Sequence, residues 1–251
     1  MKVLFLIQSC QQERYIKEEN ILRETYLKRV RKGDDYYFYR GGYDENKIEG
    51  DILYLKCNDS INGTFLKTII ALTVFKKYDY DFIVRINTSN WINMEMLYET
   101  LDTLNPNETE LIGANLVTQD KTYGIPFLRG NFLILNRKIV CDLLQSINNG
   151  AYTGIDDTCI ALNLCRYYQT SFKDINYLYC LKAVKNTICT KNTPLKAIKE
   201  NIVIRCADYI RETNNSSIIK EIDDKYKKSL SIKIQKPETI ETVFGNLVNI
   251  I

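Results

Sequence analysis

The sequence predicts a single α/β domain, a mixed sheet that is largely parallel at its start and flanked by helices. Three observations predict it. Short apolar runs alternate with stretches in which apolar residues recur every three to four positions, the pattern of strands alternating with amphipathic helices. The links between these segments are short, which favours strand–helix–strand units whose strands lie side by side. The 251 residues, 45% hydrophobic and 26% charged, are enough for one large core and few for two.

The first apolar run, Val3–Ile7, reads as a buried strand. Residues Glu13–Lys32 carry Ile16, Leu22, Tyr26, Leu27 and Val30 with charges between them, which predicts an amphipathic helix that Gly33-Asp34 stops. Tyr36–Tyr39 is the second strand, Gly41-Gly42 a turn, and Ile52–Leu55 the third strand. Phe65–Phe75 is apolar on one face and predicts a central helix, followed by a strand over Phe82–Ile86 and a helix over Met94–Leu104. Leu111–Leu116 and Phe132–Leu135 follow as strands, Lys138–Gln145 and Asp156–Tyr167 as helices, and Ile202–Ile204 as a late strand. Residues 1–213 are expected to form the domain, and 214–251 a polar C-terminal tail with a helix over Ile218–Tyr226.

Composition excludes several functions. Lys and Arg number 34 against 31 Asp and Glu, a formal charge of +3, too small a basic excess for bulk attraction to nucleic acid. There is no histidine, so no Ser-His-Asp triad, Cys-His dyad or histidine metal ligand can form, and acid–base work falls to Asp, Glu, Lys, Tyr or Cys. The 8 cysteines contain no CxxC and several sit in apolar runs, which predicts reduced, packed thiols and a cytoplasmic location. No run approaches the roughly 18 apolar residues of a membrane span, and Val3–Ile7 is too short for the core of a signal peptide. In α/β folds ligands gather at the carboxyl ends of the strands, so the loops after Ile7, Leu55 and Ile86 carry the most interest.

Three segments could carry chemistry. In Phe82-Ile83-Val84-Arg85-Ile86-Asn87-Thr88-Ser89-Asn90-Trp91-Ile92-Asn93 an apolar strand runs into a cluster of small polar residues, which fits a ligand loop and equally a strand–turn–helix junction with Asn93 as cap. Gly154-Ile155-Asp156-Asp157-Thr158 places two carboxylates before an apolar helix, as a cap with a first-turn acid or as a capped carboxylate beside a free base. Gly124-Ile125-Pro126-Phe127-Leu128-Arg129-Gly130-Asn131 could shape a substrate wall or simply turn into the next strand.

Together these segments resemble the beta-1,3-galactosyltransferase and Fringe-like group of inverting glycosyltransferases, of the GT-A fold, over roughly residues 2–208. Leu22-Arg23-Glu24-Thr25-Tyr26 is similar to the family's Ile-Arg-x-Thr-Trp, and Asp59-Ser60-Ile61-Asn62-Gly63-Thr64-Phe65-Leu66-Lys67-Thr68 to its Asp-Ser-Tyr-x-Asn-Leu-Thr-Leu-Lys-Thr. Arg85-Ile86-Asn87-Thr88-Ser89-Asn90-Trp91-Ile92-Asn93 resembles Lys-Thr-Asp-Asp-Asp-Val-Phe-Val-Asn, Gly130-Asn131-Phe132-Leu133-Ile134-Leu135-Asn136 resembles Gly-Gly-Gly-Tyr-Val-Leu-Ser, and Asp156-Asp157-Thr158 resembles Glu-Asp-Val. The family's acidic triplet holds a divalent ion, and here it is replaced by neutral Asn87, Thr88 and Ser89. Hard cations want charged oxygen ligands, so Mn²⁺ or Mg²⁺ is less expected here than in the family, and no metal ligand is assigned.

The resemblance implies a GT-A-like, Rossmann-like mixed sheet that moves a sugar, with inversion, from a nucleotide diphosphate sugar to a hydroxyl of a glycan acceptor. By resemblance the donor is a UDP-sugar. Asp157 stands on the family's base position, with Asp156 positioning it. Ser9, Arg14, Lys67, Arg85, Asn87 and Ser89 are the expected donor-binding residues, with Arg129 and Arg205 as further cations. Arg129, Gly130 and Asn131 are expected at the acceptor. The alternative is a non-catalytic relative that kept the fold and binds glycan or a partner.

Overall fold

The structure, a computed structural model, describes residues 1–107, 110–113, 116–117, 127–147, 154–167, 180–183, 186–189, 195–206 and 215–233. The chain opens with strand β1 (Val3–Gln8), helix α1 (Glu13–Glu24), β2 (Asp35–Arg40), β3 (Lys47–Glu49) and β4 (Ile52–Tyr54). It continues with α2 (Thr64–Phe75), β5 (Phe82–Asn87), β6 (Asn90–Ile92) and α3 (Met94–Leu101). Then come β7 (Glu110–Gly113), β8 (Leu116–Val117), β9 (Phe127–Leu128), β10 (Phe132–Asn136), α4 (Arg137–Ser146) and α5 (Asp156–Tyr167). The last elements are β11 (Cys180–Ala183), β12 (Asn186–Cys189), α6 (Leu195–Glu200), β13 (Val203–Cys206) and α7 (Asn215–Lys233).

The central sheet is eight-stranded, in the order β11-β7-β10-β5-β1-β2-β4-β3. β1 runs parallel to β2 and β5, and β2 parallel to β4, as the short crossovers predict. β10 enters antiparallel to both β5 and β7, with its first residue, Phe132, opposite Ile86, the last but one of β5. That reversal brings Asn131 to the carboxyl end of the sheet. A small second sheet, β12-β13-β6, holds β6 antiparallel to β13.

Side-chain alternation on each strand feeds two cores. Val3, Phe5 and Ile7 of β1 pack with Val84, Ile86, α3 and α7, whereas Leu4 and Leu6 pack with Leu72, Phe75, Ile139, Leu143 and Ile160 of the helices on the other face. This is the mixed α/β sheet flanked by helices that the sequence predicts. No helix among the described residues is long and apolar enough to cross a membrane.

Four differences from the sequence reading matter. The helix expected over Glu13–Lys32 stops at Glu24, where Thr25 leaves helical geometry (φ −110°, ψ −116°), and resumes only as a 3₁₀ turn over Tyr26–Arg29. The strand expected over Leu111–Leu116 is two, β7 and β8. Asn90–Ile92, read as part of a polar loop, is a fully buried strand. The C-terminal helix is longer than expected and is no polar appendage. It covers Asn215–Lys233, and its Ile218, Ile219, Ile222 and Tyr226 are part of the first core. Asp223, 0% exposed, pairs there with Arg29 and accepts from the Trp91 indole at 3.1 Å.

Candidate functional site

Register brings the candidate residues together at the carboxyl end of the parallel strands. Gln8 and Asn87 end β1 and β5 side by side, and the backbone N–H of Asn87 donates to the carbonyl of Asn131 at 3.0 Å. The N-terminus of α5, with Asp156 and Asp157 in its first turn, closes over this edge. Gly130 explains the close approach. A side-chain carbon there would sit 2.9 Å from Asp156 Oδ1 and 3.2 Å from the Asp157 Cβ, so only glycine fits without displacing the pair.

The two carboxylates have different surroundings. Asp156 is 4% exposed, in contact with the Arg85 guanidinium, and is reached by the Thr68 hydroxyl at 3.5 Å. Its backbone N–H donates to Thr64 Oγ1 at 3.2 Å, which joins the starts of α5 and α2. Burial pushes the Asp156 carboxyl above the ordinary range, Arg85 draws it back, and neighbouring Asp157 pushes it up again. The guanidinium, which does not give up its proton, opposes that rise. Asp157 is half-buried. Its Oδ2 accepts from the Gly130 N–H at 3.2 Å, and its Oδ1 from the Thr158 N–H at 2.8 Å. With the Thr158 hydroxyl at 3.4 Å, three neutral donors orient this carboxylate, and it is in none of the described ion pairs.

Arg85 is 1% exposed and fully engaged. Beyond Asp156 it donates to the Tyr39 hydroxyl at 3.2 Å and to Asn87 Oδ1 at 2.7 Å. Burial alone would lower its pKa, and Asp156, Tyr39 and Asp157 together more than offset this. The charge expected to meet a diphosphate is therefore committed inside the protein. The same holds for Lys67, 2% exposed, whose ammonium bonds the Ser9 carbonyl and Asp59 Oδ1, each at 2.7 Å. Ser9 is buried too, its hydroxyl donating to Glu19 at 2.5 Å, so it organises the end of β1 from below.

The other expected residues stand as follows. Asn87 and Ser89 are half-buried at the sheet edge, and Ser89 holds the N–H of Cys206 on its carbonyl at 2.9 Å. Arg14 is exposed in the first turn of α1, with its guanidinium 2.9 Å from the Tyr15 hydroxyl. Arg129 is exposed beside Gly130, and Arg205 lies half-buried on β13, paired in register with Asn90. Asn131 is 6% exposed, and its side-chain Oδ1, like Gln8 Oε1, is a buried acceptor with no hydrogen-bond partner. Residues 124–126 of the glycine- and proline-bracketed loop lie outside the described residues.

Sequence reasoning missed the acidic floor of this site. Glu18 and Glu19 of α1, 5% and 0% exposed, count as surface charges in the helical pattern. Glu19 instead takes Arg40, Arg23 and Ser9, and Glu18 takes the Thr88 hydroxyl. A period of 3.6 places Glu18 and Glu19 on the same flank as Leu22, and that is the signal that could have found them.

The residues present do not suit a divalent ion at the position of the family's triplet. Asn87 Oδ1 already faces a guanidinium, Thr88 is 2% exposed with its hydroxyl on Glu18, and Ser89 offers a neutral oxygen. Among the described residues no group of three or more Cys, Asp or Glu could hold a metal ion.

No family model and no curated protein matches the chain. Solved structures similar to it include three glycosyltransferases. One is involved in glycosylating the major capsid of PBCV-1 (11% identity, 88% of this chain and 99% of that one, TM-score 0.47). Another is an active-site mutant of LgtC (11% identity, 95% and 98%, TM-score 0.45). The third is GlyE of Streptococcus pneumoniae TIGR4 (13% identity, 91% and 64%, TM-score 0.40).

Proposed function

We propose that the chain is a glycosyltransferase that moves a sugar, with inversion, from a nucleotide diphosphate sugar to a hydroxyl of a glycan acceptor. One observation carries the reading. Asp157 is a half-buried carboxylate, aimed by two backbone N–H groups and in none of the described ion pairs, at the carboxyl end of the parallel strands. That is the requirement for a general base positioned before substrate arrives. The motif resemblance over Asp156-Asp157-Thr158 supports the same assignment.

In this reading Asp157 takes the proton of the acceptor hydroxyl as its oxygen attacks the anomeric carbon from the face opposite the leaving group. The new carbon–oxygen bond forms while the bond to the diphosphate breaks, and the nucleoside diphosphate leaves with the electron pair. Asp156, locked to Arg85, holds the start of α5 in place. Arg85 supports Asn87 from beneath, so its effect on the donor is indirect. The diphosphate would lie over Asn87 and Ser89, with exposed Arg14 as a cation after the β1 loop and UDP-sugar as the expected donor. Arg129, Gly130 and Asn131 would face the acceptor. The donor set argues for transfer without a divalent ion.

The test is transfer assayed over a panel of nucleotide sugars and oligosaccharide acceptors, with binding of each nucleoside diphosphate measured alongside. Asp157→Asn should lower turnover by ~10²–10⁴-fold while nucleotide affinity stays within a few-fold of wild type. A variant that retains most of its activity removes Asp157 as base. Nucleotide or glycan binding with no transfer or donor hydrolysis on any pair would favour the non-catalytic reading.

A further inference from the structure

The turn between β5 and β6, Thr88 and Ser89, is held by groups outside the cleft. The Thr88 hydroxyl, 2% exposed, donates to Glu18 Oε2 on α1. The other oxygen of that carboxylate, Oε1, accepts from the side-chain amide of Asn215 at 3.0 Å. Asn215 is the first residue of α7, 197 positions away in sequence. Glu18 is therefore a buried bridge from the C-terminal helix to the edge of the candidate site.

Its chemistry is specific. Glu18 is 5% exposed and forms none of the described ion pairs. A buried carboxylate without a cation is costly, and hydrogen-bond donors must compensate for its lost hydration. Two acceptor oxygens meet two donors here, and bonds to an ionised acceptor are the stronger kind. Packing alone would be served by an apolar residue.

The rest of the turn is pinned as well. The Ser89 carbonyl accepts from Cys206 on β13 at 2.9 Å, and the Asn131 carbonyl accepts from Asn87 N–H at 3.0 Å and Asn90 Nδ2 at 2.5 Å. Those bonds fix the backbone at its two ends. Glu18 alone, among the described contacts, holds the Thr88 side chain between them. α7 is in turn fixed independently of Asn215, through Asp223 with Arg29 and Trp91, and through the Tyr226 hydroxyl on Glu95 at 2.8 Å.

We infer that Glu18 is a positioning residue for the donor-binding turn, and that the docked α7 sets the geometry of that turn through Asn215. The inference rests on the proposed donor site in one respect, that Asn87 and Ser89 face the nucleotide. It adds that a helix far from the cleft tunes affinity for it.

The test uses the full chain and two readouts, hydrogen exchange of the peptide covering residues 86–93 and calorimetry with UDP. Glu18→Ala and Thr88→Val should each speed exchange in that peptide, leave the β2 peptide unchanged, and weaken UDP by about tenfold or more. Asn215→Ala should do the same to a smaller degree. Glu18→Gln and Thr88→Ser should restore both readouts, because the amide can accept from Asn215 while donating to a hydroxyl, and serine keeps that hydroxyl. The Glu18→Ala/Thr88→Val double variant should be no worse than either single, the mark of one shared interaction. If Glu18→Ala fails to fold, Thr88→Val and Asn215→Ala decide alone. Unchanged exchange across residues 86–93 in the folded variants, or additive losses in the double, would overturn the inference. Faster exchange in variants of a wild type that binds no nucleoside diphosphate would uphold the bridge and refute the donor reading.

Discussion

Removing one half of the Arg85–Asp156 pair should destabilise the fold far more than removing both halves. Arg85 is 1% exposed and Asp156 4%, and each is the other's ionic partner. Arg85→Met leaves Asp156 with only the 3.5 Å Thr68 contact as a described side-chain donor, beside the negative Asp157. An uncompensated buried charge of this kind costs about 3–5 kcal/mol, whereas replacing a whole buried pair with apolar groups of similar volume is often neutral or better. For a chain of this size 1 kcal/mol moves the melting temperature by roughly 2–4 °C, so Arg85→Met should lower it by roughly 6–20 °C. Asp156→Leu, which strands a permanent cation, should do at least as much. The double variant should recover most of the loss, with a coupling energy of at least about 2 kcal/mol. Urea unfolding followed by circular dichroism measures all four corners of this cycle. Single variants that each lose under about 1 kcal/mol, or losses that simply add, would refute the idea that the pair is a closed internal charge system. Raised nucleotide affinity in Arg85→Met would be equally damaging, since Arg85 should support Asn87 from beneath.

Two further predictions follow from the same charge map. Binding of a nucleoside diphosphate should survive EDTA and change less than tenfold with Mn²⁺ in calorimetry, and Asn87→Asp should leave that independence intact because Arg85, already 2.7 Å from Oδ1, would pair with the new carboxylate. The Asp223 carboxyl is held below the ordinary range: burial pushes it up, but the hydrogen bonds from Arg29 and Lys227 and the charge of Arg29 more than offset this. A depressed folded pKa contributes stability that is present above the unfolded value, about 3.9 for Asp, and is lost as pH falls through the folded value. Asp223→Asn should therefore be clearly less stable than wild type at pH 7, and the gap should close on acidification below about pH 3.9; a gap that stays constant with pH would show that the contribution is packing.

Much of the architecture was legible because periodicity reports burial. β1, β2, β4, β5 and β10 read as apolar runs, and Asn93 caps α3 by accepting from Met96 N–H, as its position before an apolar helical stretch implies. The strands β3 and β6 were not legible. β3 is Lys47-Ile48-Glu49, one apolar residue between two charges, and β6 exists because β13, more than a hundred residues later, supplies its partner. The site was half legible. Asp156-Asp157 open a helix, as the sequence reading had them, and the register of β5 and β10 then brings that helix start to the edge where Asn87 ends its strand. The state of Arg85 and Lys67 was not, because a sequence shows that a cation is near an active edge without showing whether an internal anion has claimed it. An arginine flanked by Ile83-Val84 and Ile86 on a central strand did carry a hint, since its charge had to find a partner inside.

The pairing pattern also explains how the Asn87-Thr88-Ser89 turn is ordered without a shared ion. An acidic triplet that binds a metal draws its three side chains toward one ion, and that ion fixes the turn. Here the three positions are fixed by separate partners instead: Asn87 by Arg85, Thr88 by Glu18, and Ser89 through its carbonyl by Cys206. Each partner belongs to a different element, and two of the three interactions are charge-assisted. Arg85 is balanced by Asp156, and Glu18 is met by neutral donors. Such a turn is rigid before any ligand arrives, which lowers the ordering cost of binding. In the proposed donor site the diphosphate would be met by backbone dipoles and by exposed cations such as Arg14, whose contribution would be screened by salt. Donor affinity in this protein should for that reason fall as ionic strength rises, while the stability of the buried pairs beneath it stays nearly constant.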